Sequence, residues 1–118
     1  MNGEITIVTV RGMKANTGTV NGKRLVYVGR RCAGWGGSVL GSPFRAVAGK
    51  PGATLPNYRR WLWQEMKKQG EVWLEIVSIV KLVESGESVM LGCWCDNPSC
   101  CHASVVRAAV LWVIEEEE

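Results

Sequence analysis

The chain has 118 residues, 47% of them hydrophobic and 21% charged, so its length predicts one domain and its composition predicts a folded globular protein. No apolar run approaches the ~20 residues that a membrane-spanning helix needs, which excludes a span and predicts no membrane partner. The N-terminus lacks a secretory signal, and five cysteines are an odd number for a disulfide scaffold, so we expect a cytoplasmic protein.

Positive charge is concentrated in the first half of the chain. The net charge is only +3, but residues 1–62 contain ten Lys and Arg residues against a single acid, Glu4. Four of the acids form the terminal run at residues 115–118. The basic half predicts a polyanionic partner such as a nucleotide, a nucleic acid or an acidic protein, while the alternative is an ordinary solvated surface.

The first half of the chain predicts two strands and a long loop. Alternating and β-rich runs predict strands over residues 4–10 and 23–28. Residues 12–22 between them have turn chemistry, which leaves open whether the two strands form a hairpin or lie apart. Residues 29–53 are rich in glycine and proline without periodicity, and a loop of this length is typical of functional or disordered segments.

The second half alternates helices with one strand. Apolar spacing predicts helices over residues 54–70 and 71–84, then a buried strand over 88–94 and a last helix from about 100 to 114. Residues 115–118 form an acidic tail at the negative end of that helix dipole, so we expect it to fray. The prediction is therefore one domain over residues 1–114 followed by the tail.

This order of elements is typical of a small three-layer α/β fold with a short, largely parallel sheet. The crossover rule predicts that the strands at 23–28 and 88–94 are parallel neighbours. In such sheets ligands bind outside the carboxyl ends of the strands. Two segments follow those ends here, a glycine-rich loop and a cluster of cysteines.

The glycine-rich loop is the first candidate site. Its glycines let the backbone approach a phosphate, its arginines offer bidentate contacts, and its aromatic rings offer a stacking surface for a base. The candidate ligand-binding residues are Gly29, Arg30, Arg31, Trp35, Gly36, Ser38, Ser42, Phe44 and Arg45. The alternative is a compact surface loop whose Phe44 side chain inserts into the core.

The second candidate site is the cysteine cluster. Four thiols, at positions 93, 95, 100 and 101, lie within ten residues of the chain's one histidine, His102, and thiolate with imidazole suits tetrahedral zinc. A helix N-terminus at this point also fits a nucleophilic thiol or a phosphate site. The third interpretation is structural, with buried cysteines and His102 as a helix cap.

Four stretches resemble a family of small phage and bacterial proteins known as a domain of unknown function. The matching motifs are a VYIGR-like strand, a SxxGNPF-like loop, a YxxWL helix and an LxCWCxPxxCHA segment, together covering about residues 25–113. Ser42 replaces the usual asparagine, and one residue is inserted between Cys95 and Pro98. The resemblance implies a Rossmann-like α/β domain and assigns Cys93, Cys95, Cys101 and His102 to the motif, leaving Cys100 outside it.

The leading functional prediction is a module that binds a nucleotide-derived, phosphate-bearing ligand through the loop, with the Cys93, Cys95, Cys101 and His102 cluster closing the site. In a phage-encoded protein, acting in the host cytoplasm, this predicts sequestration of a host nucleotide signal. The cluster is also the candidate zinc site, the alternative being no cofactor.

Two other classes of function fit the sequence. One is an enzyme that processes a nucleoside or nucleotide, such as a glycosyl-bond hydrolase or transferase, with Glu4, Glu65, Asp96 and the cysteines as candidate groups. The other is a nucleic-acid or protein interaction module, with Trp35 and Trp63 as exposed tryptophans. A homo-oligomer is compatible with each of the three.

Overall fold

The computed structural model describes residues 2–31, 34–44, 53–94 and 102–117. Each predicted strand and helix is present in these residues, with bounds that agree within a few positions. The elements are β1 (Ile5–Thr9), β2 (Thr19–Val20), β3 (Lys23–Tyr27), α1 (Leu55–Lys68), α2 (Glu71–Glu84), β4 (Val89–Cys93) and α3 (His102–Glu117). None of the helices in the described ranges is long and apolar enough to cross a bilayer.

The sheet has the strand order β1-β4-β3-β2. The central strand β4 runs parallel to both β1 and β3, so that Leu91 pairs with Ile7 on one side and with Val26 on the other. This confirms the predicted parallel pairing and the α/β class. It also settles the open question about the first two predicted strands, because β4 lies between them.

The turn segment before β3 forms a short hairpin. β2 pairs antiparallel with β3, and the connection is Asn21-Gly22. Both residues have positive φ, 51° and 79° respectively, as a two-residue hairpin turn of type I′ requires. The hairpin therefore follows from the turn chemistry of these two residues.

All three helices pack on one face of the sheet. β4 presents Val89, Leu91 and Cys93 to this face, and each is 0% exposed. Apolar stripes of the helices complete the same core cluster, which includes Leu62 from α1, Ile76 from α2, and Val105, Val106, Val110 and Val113 from α3. The uniformly apolar sequence of β4 follows from its position at the centre of the sheet.

The opposite face of the sheet is covered by loops. Its core cluster consists of Val10, Leu25, Trp35 and Met90, and it contains no helical residue among those that the structure describes. The predicted three-layer, Rossmann-like arrangement is therefore not confirmed. The described chain forms one helical layer and one sheet, and the loops before β2 and after β3 supply the apolar cover of the second face.

α3 continues to Glu117, so the predicted helix end at Ile114 is too early. An acidic last turn is unfavourable by about 0.3 to 1 kcal/mol per charge at the negative end of the dipole. Burial of Val113 and Ile114, which are 4% and 6% exposed, anchors the preceding turn and offsets this cost.

Gly92 is a tight position in β4. A Cβ atom there would lie 2.7 Å from Val10 Cγ1 and 3.2 Å from Leu25 Cδ1. We expect Gly92→Ala to lower the free energy of unfolding by about 1 to 3 kcal/mol, because a stiff valine and the strand backbone must move. Urea unfolding measures this. Gly18→Ala is the control, since no atom lies within 4 Å of its Cβ position; equal losses in the two variants would contradict the packing argument.

Candidate functional site

Three parallel strands end at one edge of the sheet, which we call the carboxyl edge. Backbone pairing continues just beyond β1, where the Val10 N–H donates to the Cys93 carbonyl at 2.8 Å. It also continues beyond β3, where the Val28 N–H donates to the Gly92 carbonyl at 3.0 Å. The glycine-rich loop and the cysteine segment both start at this edge, and open α/β sheets bind ligands at this edge.

The glycine-rich loop, residues 29–44, folds back onto the end of β3. The Ser38 N–H donates to the Gly29 carbonyl at 3.0 Å, and the Gly41 N–H donates to the Ser38 carbonyl at 2.9 Å. A Cβ at position 41 would lie 3.1 Å from both of these carbonyl oxygens. The absence of a side chain at Gly41 therefore lets two backbone segments approach each other closely.

The glycine-rich loop also packs against the helical core. Leu40 and Tyr58 are both 0% exposed, and the Tyr58 hydroxyl donates to the Leu40 carbonyl at 2.7 Å. Phe44 is half-buried and packs against the helical core. The interpretation of Phe44 as a core anchor therefore describes its position better than an exposed stacking ring.

Arg30 fastens the loop to itself. Its side chain is exposed, yet its Nε–H donates to the Ser42 carbonyl and its Nη2–H donates to the Phe44 carbonyl. The Tyr27 hydroxyl in turn donates to the Arg30 carbonyl at 2.5 Å. Two N–H groups of Arg30, a predicted phosphate-binding residue, therefore donate to backbone carbonyls of the loop in this arrangement.

Arg31 is differently placed. It is exposed, and it forms no hydrogen bond or ion pair in the part of the chain that the structure describes. A Cβ at Gly37 would lie 2.9 Å from the Arg31 backbone nitrogen, so the loop packs closely against the Arg31 backbone. Arg45, the third predicted arginine, lies outside the described residues.

Trp35 is buried, contrary to the expectation of an exposed ring. It is 3% exposed and its ring centroid lies 5.0 Å from that of Tyr27. Asn16 bonds to the backbone on both sides of Trp35: its Nδ2 donates to the Gly34 carbonyl at 3.2 Å, and its Oδ1 accepts from the Gly36 N–H at 3.1 Å. Trp35 therefore covers the second face of the sheet, and its ring is not presented for stacking on a base.

His102 begins α3 and links it to β3. Its Nε2 lies 2.8 Å from the Val28 carbonyl, and because a carbonyl can only accept, Nε2 carries the proton. The imidazole also lies edge-on to Tyr58, with ring centroids 5.1 Å apart. Only Nδ1 of this ring can therefore act as a metal ligand while the contact with Val28 holds.

The predicted zinc set is only partly within the described residues. Cys93 is 0% exposed, with Sγ 3.8 Å from the Val8 carbonyl, and such burial is typical of an inert structural cysteine. Cys95 and Cys101 lie outside the described residues, and within the described ranges no three metal-ligating side chains form a group. Zinc binding by these residues stays a prediction.

The sequence did not single out Arg11 and Trp94, which connect the ends of β1 and β4. The Arg11 Nε–H donates to the Trp94 carbonyl at 2.8 Å, and the guanidinium carbon lies 5.8 Å from the centre of the indole. The indole Nε1 is buried and has no acceptor among the described residues. The available signal was the location of Arg11 directly after one predicted strand and of Trp94 at the end of another.

The charge at the carboxyl edge is positive. Arg11 follows β1, and Arg30 and Arg31 follow β3. The described segments at this edge, residues 9–11, 27–31, 34–44, 92–94 and 102–104, contain no acidic residue. The positive end of the α3 dipole lies beside them, because His102 contacts Val28.

The candidate acids of the enzyme hypothesis do not lie at this edge where the structure describes them. Glu4 is exposed and precedes β1, at the opposite edge of the sheet. Glu65 forms an ion pair with Lys68 on α1, with 2.6 Å between the charged atoms. Asp96 lies outside the described residues, as does Cys100.

Comparison with known proteins identifies a family but no individual relative. Neither the curated proteins nor the solved structures include a match to the chain. A family model does match, over residues 12–112, and this range contains the glycine-rich loop, all three helices in large part, and the cysteine segment. The chain therefore belongs to the family described as Domain of unknown function (DUF4326).

Proposed function

We propose that the protein binds a small, phosphate-bearing, nucleotide-derived ligand at the carboxyl edge of its sheet. The observation that carries the proposal is the charge at this edge, where three arginines follow the ends of β1 and β3 and no described residue is acidic. A phosphate is the common biological group that such a combination favours.

The roles of the arginines differ in this proposal. Arg30 shapes the loop through its contacts with the Ser42 and Phe44 carbonyls. Arg31 extends from the same loop with no described partner and is the ligand-contacting residue. The first turn of α3, held to β3 by His102, adds the favourable end of a helix dipole.

Binding without turnover fits this site better than catalysis. Cys93 is fully buried, the acids Glu4 and Glu65 lie elsewhere, and the His102 imidazole at this edge is engaged through Nε2 with the Val28 carbonyl. The arginines are therefore better placed for binding than these groups are for acid–base chemistry. The biological role in this proposal is that the protein captures a nucleotide signal of a host.

Arg31→Ala is expected to weaken binding at least tenfold, because a charged hydrogen bond to phosphate contributes about 1.5 to 3 kcal/mol. Isothermal titration calorimetry with pyrophosphate, ADP and ADP-ribose measures this, and adenosine serves as the probe without phosphate. Lys81→Ala is the matched control. It removes one exposed positive charge from the last turn of α2, close to the amino end of β4 and therefore at the opposite edge.

Two results would contradict the proposal. One is that none of the three phosphate-bearing probes binds with a dissociation constant below about 1 mM. The other is that one binds but Arg31→Ala and Lys81→Ala weaken it equally, which would indicate a diffuse charge effect in place of a site.

A further inference from the structure

An apolar groove lies between α1 and α3 on the surface of the helical layer. Its volume is about 620 Å³. Two tryptophans on its walls, Trp63 and Trp112, are 41% and 42% exposed, and their rings meet edge to face with centroids 4.9 Å apart. Other lining residues include Arg59, Arg60, Val105 and Ala109.

The two tryptophans continue the buried apolar stripes of α1 and α3 out to the surface, where their rings are partly exposed. Val105, Ala109 and Trp112 follow one another at helical spacing on α3, and Met66 extends the floor of the groove on the α1 side. Paired exposed aromatic rings in a concave surface are typical of the centre of a protein interface.

Exposed charges of opposite sign flank the tryptophan pair along the two helices; the arginines line the groove, and the glutamates lie beyond its lining. Arg59 and Arg60 lie one turn before Trp63 on α1, whereas Glu115 and Glu116 lie one turn after Trp112 on α3. All four side chains are exposed, and none of them forms an ion pair with another residue that the structure describes.

The relative direction of α1 and α3 places the arginines and the glutamates on opposite sides of the tryptophan pair. Tyr58, in the first turn of α1, contacts His102 at the start of α3, and Trp63 contacts Trp112 further along both helices. The two helices therefore run in the same general direction along the groove. The arginines lie towards their beginnings and the glutamates lie at the end of α3, with the tryptophans between.

We propose that the occupant of this groove is a second copy of the chain, packed across a two-fold axis that passes near the tryptophan pair. A surface with a positive end, an apolar centre and a negative end is complementary to itself when it is turned by 180°. In this dimer Arg59 and Arg60 of one protomer face Glu115 and Glu116 of the partner subunit, and the four tryptophans meet at the centre. The carboxyl edge and Arg31 take no part in it.

The acidic end favours a protein partner over a nucleic acid. Glu115 and Glu116 repel the phosphates of a strand that follows the groove past Trp112. Lys67, the other cation beside the tryptophans, is held over the Trp63 ring at 5.5 Å. The same acidic residues are favourable when the facing surface carries Arg59 and Arg60.

Sedimentation velocity of the full chain, from about 5 to 500 µM, tests the proposal. We expect a concentration-dependent dimer with a dissociation constant of about 1 to 100 µM, the range of a small two-fold interface. The double variants Arg59→Glu with Arg60→Glu, and Glu115→Lys with Glu116→Lys, are each expected to raise that constant at least tenfold. The combined fourfold variant restores opposite charges across the axis and is expected to recover the dimer.

The control variant has the same change in net charge as the Arg59→Glu, Arg60→Glu variant, but at positions outside the groove. Lys14→Glu with Lys23→Glu alters two exposed lysines outside α1 and α3 and is expected to leave the dimer unchanged. Circular dichroism checks folding, and the Glu115→Lys, Glu116→Lys variant places cations in the last turn of α3, where the helix dipole favours them.

Three outcomes would overturn the proposal. The first is a wild-type chain that is monomeric at 500 µM. The second is a dimer that neither double variant weakens, or that the fourfold variant fails to recover. The third is a monomer that binds a 20-nucleotide single strand and loses this binding on Trp63→Ala, which would assign the groove to nucleic acid.

Discussion

Replacing Leu91 with alanine is expected to lower the free energy of unfolding by about 2 to 5 kcal/mol. Leu91 is 0% exposed, and it lies at the middle of the central strand, paired with Ile7 on one side and Val26 on the other. Its side chain faces the helical core, so the cavity left by truncation is enclosed by the sheet and the helices. Urea unfolding followed by tryptophan fluorescence gives this value.

Leu74→Ala is the matched control for Leu91→Ala. It makes the same chemical change on α2, where the leucine side chain is 63% exposed, and we expect a change within about 0.5 kcal/mol. A loss below 1 kcal/mol for Leu91→Ala, or similar losses in the two variants, would show that β4 is not the centre of the core.

Tyr58→Ala is expected to cost about 3 to 5 kcal/mol, because it removes a fully buried ring that contacts both Trp61 and His102. Tyr58→Phe keeps the ring and removes the bond to the Leu40 carbonyl. We expect it to cost about 1 to 3 kcal/mol, since a buried carbonyl loses its donor. Urea unfolding separates the two contributions. Hydrogen exchange at the Ser38 and Gly41 amides reports whether the loop also loosens.

Tyr27→Phe is the matched control for the hydroxyl. This tyrosine also holds the glycine-rich loop through a backbone carbonyl, that of Arg30, but in an exposed setting where water replaces the lost donor. We expect a loss of about 0.5 to 1 kcal/mol. If Tyr58→Phe is no more destabilising than Tyr27→Phe, then the Leu40 carbonyl does not depend on Tyr58.

The periodic elements could be predicted because their patterns are local. The apolar stripe of residues 71–84 has the same bounds as α2, and the unbroken apolar run of β4 predicted its full burial. The strand order could not be predicted, since the position of β4 between β1 and β3 depends on contacts between distant parts of the chain. The expected third layer is not confirmed, because the described cover of the second face comes from loops such as that of Trp35, which has no periodicity for a sequence pattern to reveal.

The location of the candidate site was easier to predict than its contacts. Glycines and arginines after β3 indicated a loop at the carboxyl edge, and Gly29, Arg30, Ser38 and Ser42 do lie there. Two side-chain roles differed from expectation. Arg30 bonds to carbonyls of its own loop, and Trp35 is buried. Both positions depend on how the loop folds back, which the pattern of residues in the loop does not reveal.

The strand order also determines when the sheet can form during folding. β4 supplies the pairing for both β1 and β3, yet it follows them in the chain after two complete helices. β3 can form its hairpin with β2 early, but neither β1 nor β3 can form its parallel pairing until residues 89–93 arrive, so the parallel sheet requires closure of long loops. Such dependence on distant contacts slows folding relative to a helical bundle of similar length. During synthesis on the ribosome, the parallel edges of β1 and β3 remain open until the last quarter of the chain has emerged.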